Sequence, residues 1–165
     1  MDRRKLLAAA TGLASFAIPI ASATTTAQAQ AMDQLKRSAL MGGDFALMTS
    51  ELARRNSQNP LVRNFAMLEM DEQEAIARAF GAAPGSAGMR RDHAAILERL
   101  QAMRGPEFDA MYIQGQVQGH RELLRIHRSY ASRGPDPVAR AASIVAVPAI
   151  QTHLGILTSL RTASS

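Results

Sequence analysis

Three proline junctions divide this chain. Asn59-Pro60, Gly105-Pro106 and Asp136-Pro137 each set a proline where a helix can begin but not continue. A proline at the first helical position gives up no hydrogen bond, because that N–H has no intrahelical partner anyway. Asn59 and Asp136, one residue earlier, carry the side-chain oxygens that cap a helix start. Between the junctions, apolar residues recur at intervals of three and four, the period of a helix with one buried face. No such helix can bury its stripe alone. The pattern therefore predicts an all-α protein, an antiparallel four-helix bundle with an extra short helix between its second and third long helices.

The first long helix is expected over 33–56, with Met41, Phe45, Met48 and Leu52 as its stripe, and with Gly42-Gly43 as a bend or a close contact. The second begins at Pro60, buries Val62, Phe65, Ile76 and Phe80, and stops at Gly81. A short amphipathic helix follows over 89–103. The central helix runs over 106–132, and the last over 137–161 with the stripe Val138, Ala142, Val145, Ala149, His153, Ile156 and Leu160. Pro148 inside that last helix frees the carbonyl of Ile144 and predicts a kink one turn before His153.

Residues 1–31 read as an export signal. Arg3-Arg4-Lys5 is a basic start, an apolar run from Leu6 to Ala23 follows, and Ala27-Gln28-Ala29 and Ala29-Gln30-Ala31 are small-residue cleavage sites. Both the general secretory route and the twin-arginine route fit, although Asp2 stands where the latter usually has Ser or Thr. The expected domain is then 32–165, periplasmic or secreted, with no later apolar run counted as long enough to span a bilayer. Cysteine is absent, which excludes disulfides, thiolate metal sites, cysteine nucleophiles and covalently attached haem.

The net charge is +5, of which Asp2, Arg3, Arg4 and Lys5 supply two. The remaining basic residues are nearly all Arg, spread along the helices and expected to pair with Asp and Glu. Nucleic-acid binding needs a clustered basic stripe and a reading motif, so it is not predicted. Neither is hydrolysis, since there is no Gly-x-Ser-x-Gly and no glycine-rich phosphate loop. The methionines read as core filling rather than copper ligands.

Chemistry concentrates in the central helix. Asp109, Tyr112, Gln116 and His120 stand three, four and four apart, so they stack on one face among Phe108, Met111, Ile113 and Val117. A polar row on a buried helix is either a satisfied hydrogen-bond network or a ligand site. In an antiparallel bundle, Glu72, His120 and His153 can meet at one level, with Glu69 or Glu51 near. Two imidazoles and one or two carboxylates suit one divalent Fe, Zn or Mn ion. A di-iron centre would need Glu-x-x-His pairs. The residues three before His93, His120, His127 and His153 are Arg90, Val117, Leu124 and Ile150, so that centre is excluded. Asp109 is explained by the first turn of its helix. His93 is expected to be partly exposed, and His127 either extends the polar face or meets solvent.

Several stretches together resemble the secreted, helical, ferritin-like proteins grouped as domain of unknown function 4142. The residues that carry the resemblance are Leu52-Ala53, the run from Asn59 through Ala66, Phe108-Asp109 with Tyr112 and His120, and Pro148 with His153. The resemblance implies a ferritin-like four-helix bundle exported to the periplasm or beyond, and no established activity. Many members carry Asp-His in the second helix where this chain has Glu72-Gln73, so a ligand set shared by the family is altered here. The function expected is a non-catalytic envelope module with a buried Glu/His network. The alternative is a metal-binding protein with a redox role. A helix-face homodimer is left open.

Overall fold

Asn59 accepts a hydrogen bond from the Leu61 amide at 2.9 Å, with Pro60 as the first helical residue. Asp136 takes the Val138 and Ala139 amides at 3.0 and 3.2 Å, ahead of Pro137. The helices that result are α1 (Ile20–Asn56), α2 (Pro60–Ala79), α3 (Arg91–Ala102), α4 (Gly105–Arg133) and α5 (Pro137–Ala163). The structure, a computed structural model, describes the backbone of residues 20–163 and the side chains of residues 26–162. Arg3-Arg4-Lys5 lies outside the described residues. Among those described, the protein is all-α.

α1 starts at Ile20 rather than near residue 33. After Pro19 the sequence is Ala, Ser, Thr and Gln, with no proline or glycine to stop a helix before Gly42. The side chains of 26–31 are all exposed, and Met32 is the first buried one.

α1 packs on α2 and α4, and α5 packs on α4 and α2, so the four long helices close a ring. α3 lies against α1 and α4. One end of the core joins Phe65, Leu100, Phe108, Tyr112 and Leu157, and the other joins Ala39, Phe80, Ile126, Tyr130 and Ala139. Each large side chain so buried stabilises by about 1.5–3 kcal/mol. Gly42 and Gly43 mark close approach rather than a bend. A Cβ on Gly42 would stand 2.9 Å from a Leu123 methyl, and one on Gly43 would stand 2.8 Å from the Gln73 amide oxygen. Gly134 is tighter still, since a Cβ there would overlap the Tyr130 ring and stand 2.7 Å from the Tyr130 carbonyl. Gly134→Ala is expected to cost about 1–3 kcal/mol in urea unfolding, the range for overpacking a site that cannot relax.

Several expected faces are corrected. On α5 the inward residues are Ala139, Ser143, Ala146, Ile150, His153, Leu157 and Leu160, whereas Val138 and Val145 are 61% and 69% exposed. α5 is apolar on most sides, so hydrophobicity does not select a face. The small residues Ala139, Ser143 and Ala146 turn inward where α4 lies close. By length and composition, Pro137–Thr162 is also apolar enough to cross a membrane, contrary to the reading of the sequence. Met48 and Met67 are exposed rather than core. His93 is buried and stacked on Phe45 with ring centres 4.2 Å apart, and His127 is buried with its Nδ1 3.1 Å from Ser143 Oγ. The arginines do not all pair. Arg121, Arg125 and Arg128 are exposed and have no ion pair among the described residues.

Candidate metal centre

The α2 stripe passes through Val62, Phe65, Glu69, Gln73 and Ala77, all buried. Glu69 therefore points into the ring of helices, while Glu72 stands at its edge with a side chain 20% exposed. α4 brings His120 and α5 brings His153 to the same level. Glu69 Oε2 lies 3.0 Å from His120 Nε2 and 2.9 Å from His153 Nδ1, and the two ring nitrogens are 3.3 Å apart. All three residues are buried, and their potential ligand atoms lie within 4.8 Å of one another. Glu69 is thus the central carboxylate. Glu72, the one favoured from the sequence, sits behind His153, with its Oε2 3.5 Å from His153 Nε2. Glu51 is not among the three.

The supporting contacts fix how these groups point. His120 Nδ1 is 2.8 Å from the backbone oxygen of Gln116. A carbonyl only accepts, so Nδ1 carries a proton and donates it. In the neutral ring, Nε2 then presents a lone pair to the Glu69 carboxylate, which is also acceptor-only. Two acceptors 3.0 Å apart repel unless a positive charge lies between them. The other Glu69 oxygen, Oε1, is occupied by Gln73 Nε2 at 2.9 Å. Glu69 is therefore left with one free oxygen, directed at the imidazoles. The Phe65 ring covers both histidines, with centres 6.0 and 5.4 Å away.

The electrostatics follow from this geometry. Burial works against ionisation of Glu69, but the charge of His120 and hydrogen bonds from both histidines outweigh it and hold its pKa at about 2. Burial likewise works against charge on His120, yet Glu69 raises its pKa above the ordinary histidine value. Burial pushes the Glu72 carboxyl up, and one of its oxygens, Oε1, is buried without a partner.

The expected polar network forms in part, and on a different neighbour. Tyr112 OH meets Ser50 Oγ at 2.8 Å, and Gln116 Nε2 donates to Thr49 Oγ1 at 2.8 Å and to the Ala46 carbonyl at 3.2 Å. These bonds fix the register of α4 on α1 and reach the cluster only through the Gln116 backbone. Asp109 is buried with Oδ1 unpartnered and takes no part. Ser50 and Thr49 carried no signal in the sequence, because small hydroxyls on a helix are usually surface residues. The inward position of Glu69 was readable, since it falls on the spacing from Val62 and Phe65 to Gln73.

An all-helical protein with one glutamate and two histidines from three helices, closed over by an aromatic ring, is the class defined by fold and site. The family model described as domain of unknown function (DUF4142) matches residues 17–160, and the chain belongs to that family. No curated protein and no solved structure matches it.

Proposed function

We propose that this chain is an exported, ferritin-like four-helix-bundle protein whose Glu69, His120 and His153 hold one divalent transition-metal ion. The observation that carries the reading is the convergence of three donor atoms 2.9–3.3 Å apart, with the proton of His120 committed to the Gln116 carbonyl. Metal bonds of about 2.0–2.1 Å at tetrahedral angles separate ligand atoms by roughly 3.4 Å, so an opening of a few tenths of an ångström admits the ion. Gln116 behind His120 and Glu72 behind His153 are the outer partners that orient ligating imidazoles. Glu69 supplies a negative charge directly to the ion, and Glu72 stands behind His153 at the edge of the ring. Two imidazoles and a carboxylate suit Zn, Fe or Mn, and such an ion would act as a Lewis acid at its open position.

Export is supported by the exposure of residues 26–31, because cleavage after Ala29 or Ala31 would remove no core side chain among the described residues. The ferritin-like reading is supported by the closed ring of long helices with ligands facing its centre. The missing Glu-x-x-His pairs favour one ion over a di-iron pair.

The test is elemental analysis of the protein purified from its native compartment without added metal, beside the His120→Ala, His153→Ala double variant. One metal per chain, lost in the double variant, is the expected result. If neither protein carries metal, and Fe, Zn and Mn leave the wild-type melting temperature unmoved, the ion between Glu69 and His120 is a proton and the cluster is structural.

A further inference from the structure

We infer that the α4–α5 face docks on the surface of an anionic lipid bilayer, with Arg121, Arg125 and Arg128 meeting phosphate headgroups and Ile144 and Pro148 entering the acyl boundary. This inference does not depend on the metal reading. After Glu122 the only acidic residue is Asp136, which pairs with Lys36 at 3.2 Å, while Arg125, Arg128, Arg133, Arg140 and Arg161 share that segment. Arg121, Arg125 and Arg128 recur at intervals of four and three, so they form one row along α4. The row flanks α5. Leu124, between them, packs with Ala146, Ile150 and Leu154, and His127 meets Ser143.

Beside this row α5 presents an outer face with no acidic residue. Ile144 is 57% exposed, and Pro148, one turn further along the same side, is exposed as well. Arg121, Arg125 and Arg128, with no ion pair among the described residues and next to an exposed apolar helix, are the arrangement that suits an anionic interface, where charge draws the protein in and apolar side chains hold it. An acidic protein surface would match the arginines but would not use the apolar face. α5 lies on the bilayer and does not cross it, because His153 is held in the core against Glu69 and Ser143 against His127. Crossing would strand those polar groups in hydrocarbon.

The absence of cysteine allows a clean test. Ile144→Cys in the full chain is labelled with an environment-sensitive fluorophore, and Glu98→Cys at an exposed position of α3 is the control. The expected result is a blue shift at position 144, absent at 98, on vesicles of equal parts phosphatidylglycerol and phosphatidylcholine. The shift should weaken as salt rises. Adding Arg121→Gln, Arg125→Gln and Arg128→Gln is expected to weaken vesicle partitioning roughly a hundredfold, from a factor of about five per arginine. A silent label at 144, or an equal shift on phosphatidylcholine alone, overturns the inference. So does a shift that depends on protein concentration without vesicles, which would mean that a second copy covers this face.

Discussion

Glu69→Ala will abolish the proposed metal uptake and lower the stability of the metal-free protein by about 3–5 kcal/mol, the usual cost of removing one partner from a buried charge pair. The loss arises on the histidine side. With the carboxylate gone, His120 must either keep its proton as an isolated buried cation or give it up and rely on the long 3.3 Å contact to His153 Nδ1 in place of the charged pair. Glu69→Gln separates stability from binding. Its amide can give one proton to His120 Nε2 and one to His153 Nδ1, while its oxygen still accepts from Gln73, so a neutral network replaces the charged one. The expected cost is about 1 kcal/mol, with metal uptake still lost. Urea unfolding in a chelating buffer measures the stabilities, and elemental analysis measures the metal. Equal metal content in wild type and Glu69→Gln would remove Glu69 from the ligand set. Equal stability of the Ala and Gln variants would mean that His120 carries no proton toward Glu69.

What the sequence made legible divides along physical lines. Local devices were readable. Asn59 before Pro60 and Asp136 before Pro137 act within one turn, and the helices begin where these residues say. Choices between near-equal faces were not readable. Along α5 almost every position is apolar, so the inward face was set by how closely α4 can approach Ala139, Ser143 and Ala146. The site had both characters. His120 and His153 were found because polar residues on buried faces stand out. The order of Glu69 and Glu72 was missed although it was present in the α2 spacing. The burial of His93 rests on Phe45, and that of His127 on Ser143 and Phe80. Those partners are distant in sequence and unmarked by any motif.

Below pH 6.5, His127 will set a fall in stability of about 3 kcal/mol, complete near pH 4. Burial lowers its pKa from 6.5 to about 4, because Phe80 and Ser143 offer the imidazolium no counter-charge. Over that window the unfolded chain takes up a proton that the folded chain refuses, so stability is present above 6.5 and lost as pH falls toward 4. A fall from 6.5 to about 4, at about 1.4 kcal/mol for each tenfold change in proton affinity, amounts to about 3 kcal/mol by the time pH reaches 4. The Glu69–His120 pair does not disguise this slope. A raised histidine contributes fully below 6.5, and a carboxylate lowered to about 2 contributes fully above its ordinary 4.5, so the pair is flat between the two. His93, also lowered by burial, slopes the same way as His127, so the measurement is a difference. Urea unfolding of wild type and His127→Gln between pH 7 and pH 4.5 should give curves that converge as pH falls, most of the acid-labile difference disappearing with the histidine. Parallel curves would mean that His127 is hydrated in solution and that α4 and α5 open at Ser143. That opening would also loosen the seat of His153 ten residues further along α5 and weaken the metal site with it.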